Sequence, residues 1–302
     1  MRNQANPNSL QPGDKVGIIS TARKISEAEL LPAINKLQSW GLEVELGKHI
    51  FETYHQFAGT DSQRAEDLQT MLDNPKIKAI ICARGGYGTV RIIDHIDFSG
   101  FKQSPKWVVG YSDVTVLHAH IQRLGFESIH ATMPINFPKD GLDNNALTTL
   151  YQALFNNEVS YFFNGETFNF RKELTAPIVG GNLSILYSIS GSQSDLQTEG
   201  KILFIEDLDE YLYHIDRMMM NLKRGGKLEN IAALLIGGMS DMNDNTIPFG
   251  FEANEIILQQ TRGYQFPVIF NFPAGHIQDN RAIILGRKTT IQQYQNQLRF
   301  IQ

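Results

Sequence analysis

The sequence has little of what would tie it to a metal, a membrane or a nucleic acid. A single cysteine, Cys82, stands among 302 residues, which excludes a disulfide framework within the chain and argues against a cysteine-based zinc site. It lies in the apolar run Ala79-Ile80-Ile81-Cys82-Ala83 and reads as a buried thiol. Basic residues (27) are fewer than acidic ones (32), and the net charge of −5, with no Lys/Arg block, argues against a nucleic-acid partner. No apolar run approaches the roughly 20 residues of a membrane span. Residues 1–7 are polar and lack the apolar core of a signal peptide. No H-E-x-x-H or similar spacing occurs, and His118 and His120, two apart on a helical pattern, point to different sides. Together these absences predict a cytoplasmic protein without metal or cofactor.

What remains is an average globular composition, 42% hydrophobic and 20% charged, long enough for a large core in one or two domains. The first half alternates strand and helix. Buried strands are predicted at 16–19, 42–46, 77–83, 106–110 and 128–131, with helices at 26–40, 61–72, 88–96 and from 114 onward. The first helix opens on a capping box, Ser26-x-x-Glu29, and stops at Gly41. Continuously apolar strands between amphipathic helices predict a parallel sheet covered on both faces, with reactive groups at the strands' carboxyl ends. A helix near 144–155 runs into the polar, aromatic stretch 156–172, read as the boundary. Beyond it, strands at 201–206, 232–236, 268–271, 282–285 and 297–301 mix with helices near 215–223 and 252–261. The expected architecture is α/β: a first domain over 1–155, and a β-rich, barrel-like second domain over 173–302.

Three strand ends carry chemistry. Lys106-Trp107-Val108-Val109-Gly110-Tyr111-Ser112-Asp113 runs straight into a helix, the strand–turn–helix plan of a nucleophile elbow. Such a turn lifts the hydroxyl clear of the sheet and aims the next N–H at an oxyanion. The second glycine of the elbow pattern is absent here: that position is Val114. A serine at this point also serves as a helix cap. Arg84-Gly85-Gly86-Tyr87-Gly88, after the preceding strand, is a tight connection or a loop presenting N–H groups to an anion; it is neither a P-loop nor G-x-G-x-x-G. The apolar strand 201–206 ends in Glu206, Asp207, Asp209 and Glu210, and Gly275-His276 closes a third apolar strand. A serine, an acid and a histidine thus occur in the order Ser112, Glu206, His276, one of the known triad orders.

On these residues the chain resembles the serine LD-carboxypeptidase family, which includes muramoyl-tetrapeptide carboxypeptidases and microcin-immunity hydrolases. The matching stretches are Leu10-x-x-Gly13-Asp14, Ala58-Gly59-Thr60-Asp61 with Arg64 and Asp67, Ala83-Arg84-Gly85-Gly86-Tyr87-Gly88 and Gly110-Tyr111-Ser112-Asp113. Gly180-Gly181-Asn182, Ile205-Glu206-Asp207, Asp216-Arg217 and Gly275-His276 follow in order. The resemblance implies a Rossmann-like domain with a parallel sheet followed by a barrel-like domain, a homodimer, and hydrolysis without a metal. It implies Ser112 as nucleophile, His276 as base, Glu206 as the residue orienting it, and oxyanion donors at the N–H groups of Asp113 and Gly86. Arg84 and Asn182 stand as further substrate-binding candidates by position. The expected activity is release of terminal D-alanine from a cytoplasmic murein tetrapeptide, as in peptidoglycan recycling. The alternatives are a microcin-immunity hydrolase acting on peptidyl- or aminoacyl-adenylate analogues, and a non-catalytic Rossmann-type module binding a ligand at Gly85-Gly86.

Overall fold

A computed structural model describes residues 6–302; the first five residues of the polar N-terminal stretch lie outside the described residues. Among the described residues fourteen strands form two sheets. The first sheet takes β1 (Lys15–Ile19), β2 (Glu43–Leu46), β3 (Ile77–Cys82), β4 (Trp107–Gly110) and β5 (Ser128–His130), all parallel, in the order β5-β4-β3-β1-β2. β4 is buried at every residue, as expected of a strand covered by helices on both faces.

The helices between these strands begin where the side chains can cap them. Ser26 and Glu29 form the expected capping box for Glu27–Ser39, and Thr60 and Gln63 form another for Asp61–Asp73. The second helix is closed at its other end by a buried lysine. Lys106 Nζ donates to the carbonyls of Met71, Leu72 and Asn74 at 2.9, 2.8 and 2.7 Å, satisfying acceptors that a helix end leaves open. Burial brings the Lys106 ammonium pKa down to about 8. The helix expected at 88–96 is instead two short 3₁₀ turns, Thr89–Arg91 and Ile93–His95. Thr89, Val90, Ile92 and Ile93 are β-branched, and the Thr89 N–H is taken by the Asp113 carboxylate.

The second sheet comprises β6 (Ser160–Phe163), β7 (Glu166–Phe168), β8 (Glu173–Asn182), β9 (Ile202–Leu208), β10 (Ala233–Ser240) and β11 (Val268–Phe270). After β12 (Ile283–Leu285) it adds β13 (Lys288–Tyr294) and β14 (Gln297–Ile301). Its order is β6-β14-β13-β8-β9-β10-β11-β7, with β8 to β11 parallel and antiparallel strands outside. The outer strands β6 and β7 are separated only by Asn164 and Gly165, so the sheet curls until its edges meet at that corner. They do not pair among the described residues: the sheet is curled toward a barrel but not closed. β6, β7, β8 and β13 had no counterpart in the sequence pattern. In β8, Pro177, Gly180 and Gly181 interrupt the apolar signal.

The strand expected at 282–285 exists as β12, but it joins the first sheet, pairing antiparallel with β5. Two apolar clusters also cross between the halves. One includes Val108 and Leu117 with Leu203 and Leu234, the other Val109 and Ile129 with Phe204 and Ile283. Each such side chain contributes about 1.5–3 kcal/mol when fully buried, so the two sheets are held together by core packing. Among the described residues no helix is long and apolar enough to cross a membrane.

Candidate active site

The carboxyl end of β4 delivers the serine. Ser112 follows Tyr111 at the first position of a 3₁₀ turn that leads into the helix Thr115–Arg123, and its φ is +63°. A non-glycine residue in that region costs on the order of 1–3 kcal/mol and persists only where its surroundings enforce it. The strand, strained turn and helix share the plan of a nucleophile elbow, which lifts Oγ out of the sheet. The missing second glycine is accommodated at Gly110, where a Cβ would lie 2.8 Å from Val114 Cγ2; the bare backbone makes room for the valine.

The acid and the histidine come from the second sheet. Glu206 lies near the end of β9 and is fully buried; His276 lies in the segment after β11 and is half-buried. Between β9 and β11 runs β10, so the segment 271–276 has to cross β10 to reach Glu206. Glycine permits the crossing. A Cβ at Gly237 in β10 would stand 3.2 Å from Glu206 Cβ, and one at Gly275 (φ +101°) would stand 2.6 Å from the Glu206 carboxylate. The Gly238 N–H donates to Ala274 O at 3.0 Å, and the Gly275 N–H to Asn280 Oδ1 at 2.8 Å, which fix the crossing segment.

These elements bring three of the expected residues into one line. His276 Nδ1 stands 2.7 Å from Glu206 Oε2, and His276 Nε2 stands 3.1 Å from Ser112 Oγ. Glu206 Oε2 also accepts the His276 backbone N–H at 3.0 Å, while its other oxygen has no partner among the described residues. With a carboxylate on one side, the hydrogen-bond network assigns the proton to Nδ1 and leaves Nε2 to accept from the serine hydroxyl. The Ser112 hydroxyl therefore bonds the histidine and not a helix N–H. Burial pulls the His276 pKa down, but the hydrogen bond and charge of Glu206 outweigh it, and the net shift is upward. The Tyr111 ring packs against the imidazole at 4.9 Å between centroids, with its hydroxyl donating to Asn136 Oδ1 at 3.2 Å.

Asp113 faces inward. Its carboxylate is buried and accepts the Thr89 N–H at 2.8 Å, tying the residue after the serine to the end of the glycine loop. Burial raises its pKa. Arg64, buried beneath the loop, donates to Thr21 O at 2.8 Å and pairs with Asp61. Gly85 lies against the serine: a Cβ there would stand 2.8 Å from Ser112 Cβ. The Gly86 N–H has no protein acceptor among the described residues.

Two expected substrate residues are engaged elsewhere. Asn182, 5% exposed, donates from Nδ2 to Asp207 Oδ1 at 2.9 Å, while its Oδ1 accepts from Ser184 Oγ at 2.7 Å and caps the helix Leu183–Ser188 at Ile185 N. Its backbone N–H donates to Thr115 Oγ1 at 3.0 Å, and in the sheet it is the register partner of Glu206. It therefore links the serine's helix to the glutamate's strand. Arg84 reaches Lys24 O at 3.5 Å and Glu29 at 3.7 Å. Of the other acids, Asp207 is buried on Asn182, Ser184 N and Leu208 N, and burial, with the Glu206 charge, raises its pKa to about 7. Asp209 accepts from Asn243 and Glu210 pairs with His214. In the sequence Tyr111 stands out only as part of the stretch Gly110-Tyr111-Ser112-Asp113, and nothing sets Thr115 apart. Gly237-Gly238 leaves a signal, a glycine pair inside an apolar strand, which marks close backbone approach.

Comparisons with known proteins converge on one family. The model of the LD-carboxypeptidase N-terminal domain matches residues 16–131, and that of the LD-carboxypeptidase C-terminal domain matches residues 175–291. The chain is 36% identical over 296 residues to a probable murein peptide carboxypeptidase of Bacillus subtilis, covering 94% of this chain and 91% of the relative. It is similar to the crystal structure of muramoyltetrapeptide carboxypeptidase from Oxalobacter formigenes, with a TM-score of 0.86 and 26% identity over 95% of this chain and 98% of that one. The microcin C7 self-immunity protein MccF of Escherichia coli is 23% identical, over 93% of this chain and 91% of its own.

Proposed function

The chain belongs to the LD-carboxypeptidase family, and we propose that it releases the terminal D-alanine of a murein tetrapeptide by cutting the L-to-D peptide bond. The observation that carries this reading is the hydrogen-bonded line Ser112–His276–Glu206 at the end of a strained turn. His276 Nε2 takes the Ser112 proton as Oγ attacks the carbonyl carbon, and Glu206 holds the imidazole tautomer and stabilises the imidazolium. The negative oxygen of the tetrahedral intermediate lies against the N–H groups of Asp113 and Gly86, whose donors cost no reorganisation at the moment of reaction. His276 then protonates the leaving amine, the C–N bond breaks, and a water activated by the same imidazole hydrolyses the acyl-enzyme. The names of the Bacillus and Oxalobacter relatives support a murein peptide as substrate. The same reading has the enzyme acting in the cytoplasm, and as a homodimer, as the family resemblance implies; light scattering on the purified protein checks the dimer.

The likeness to MccF supplies the rival substrate, an aminoacyl-adenylate analogue. Parallel assays decide. Hydrolysis of an L-Ala-γ-D-Glu-diamino acid-D-Ala tetrapeptide, with aminoacyl-sulfamoyl adenosine left intact, is the expected result. Cleavage of the adenylate analogue alone overturns the substrate. Failure of a fluorophosphonate to label Ser112 overturns the serine chemistry and returns the chain to a binding module.

A further inference from the structure

Resting on the carboxypeptidase reading, we propose that Arg23 binds the free terminal carboxylate of the substrate peptide. An enzyme that removes one terminal residue has to recognise the carboxylate of that residue; a site reading only the peptide backbone would cut internal bonds as well. The carboxylate carbon is two bonds from the scissile nitrogen, so its binding group has to stand beside the serine and the oxyanion donors.

Among the described residues four arginines surround the glycine loop, and three of them are occupied. Arg64 is buried on Asp61 and Thr21 O. Arg91 holds Asp61 through both Nε and Nη2. Arg84 faces Glu29 and Lys24 O. Arg23 is exposed and has no ion-pair partner among the described residues. Its stem lies across Gly86 so closely that a Cβ on Gly86 would strike both Cγ and Cδ. The Arg23 N–H also donates to Gly85 O at 3.4 Å, and Gly85 is the residue in contact with Ser112. Consecutive Cα atoms are about 3.8 Å apart, so the stem crosses the loop one residue from the serine contact.

Glycine at 86 (φ +117°) therefore does two things: it leaves its own N–H open, and it lets an arginine stem pass over the loop. A guanidinium suits a carboxylate because its planar donors match the two oxygens, in a charge-assisted and often bidentate pair. The two groups proposed to meet the substrate's negative charges, the Gly86 N–H for the oxyanion and Arg23 for the terminus, thus sit together on one loop.

The test compares a tetrapeptide carrying a free terminal carboxylate with the same peptide as its terminal amide. Values of kcat/KM are measured for the wild type, Arg23→Gln, Arg23→Lys and Arg84→Gln; Arg23 is exposed, so its variants are expected to fold. Arg23→Gln is expected to lower kcat/KM for the acid by about 10- to 100-fold, mainly through KM, as for loss of a charged hydrogen bond. It should leave the amide rate unchanged. Arg23→Lys should recover part of the loss, and Arg84→Gln should leave both substrates near wild type. An equal effect of Arg23→Gln on acid and amide, or none on either, overturns the proposal alone, as does an acid-selective loss in Arg84→Gln. A wild type inactive on the free acid overturns the carboxypeptidase reading and this proposal with it.

Discussion

Ser112 is carried by a strand, a turn and a helix that follow one another directly in the chain, whereas Glu206 and His276 are 70 residues apart and meet across a strand that holds neither. On the serine side, position is a matter of backbone conformation, a φ of +63° after a buried parallel strand. On the carboxylate–imidazole side it is a matter of clearance, since Gly237 and Gly275 have to lack side chains before the two groups can touch. One half of the site is thus set by local geometry and the other by packing. The two are joined at Asn182, which bonds the serine's helix and shares register with Glu206.

Removing the proposed nucleophile breaks the comparison at its strongest point. Ser112→Ala is expected to fold and to lose on the order of 10⁴- to 10⁶-fold in kcat, as for comparable nucleophiles, read by tetrapeptide turnover. Near-normal turnover would reduce Ser112 to a structural residue.

The next largest effect tests the packed side. Glu206→Gln should lower kcat by roughly 10⁴-fold, because the amide can favour the wrong imidazole tautomer. Asp209→Asn, at an exposed loop carboxylate, should change it by no more than about threefold. The pH profile carries an independent sign. The proposed mechanism needs a neutral His276, and the His276 pKa is raised, so wild-type activity should fall with decreasing pH through an ionisation above the ordinary value of about 6.5. In Glu206→Gln the larger raising influence is removed, leaving only the Asp207 charge against burial, so the residual activity should persist to lower pH. A profile unmoved by this change would show that Glu206 does not govern the base.

The joint between the halves should give a smaller loss. A Cβ at Gly181 would stand 2.5 Å from Thr115 Oγ1, so Gly181→Ala should push the serine's helix away from the glutamate's strand. Misplacement by about 1 Å costs roughly 10²-fold. The expected signature is a fall in kcat with fluorophosphonate labelling slowed in proportion; labelling at the wild-type rate would refute the coupling.

The smallest effect is on stability. Asp207 anchors the start of the helix Leu183–Ser188 by accepting from Asn182 and Ser184 N. Asp207→Asn turns one acceptor into a donor facing donors and should cost about 1–3 kcal/mol, read as a lower Tm, with kcat of the folded enzyme near wild type. Loss of kcat at unchanged Tm would instead place Asp207 in the chemistry and shift the acid by one residue.

The sequence by itself determined the parallel half: continuous apolar runs, capping boxes and the strand–turn–helix around Ser112 are encoded within about ten residues each, because backbone conformation and side-chain periodicity are local properties. It also marked Glu206 and His276 as strand-end residues, but not their meeting. Tertiary structure alone decided that the segment after β11 crosses β10 to reach Glu206, that Ile283–Leu285 completes the first sheet and not the second, and that Asn182 turns inward to Asp207. These are choices between distant partners. A strand's own residues state which faces are apolar, but its neighbour is fixed only when two buried surfaces fit and the polar groups at their rims find each other.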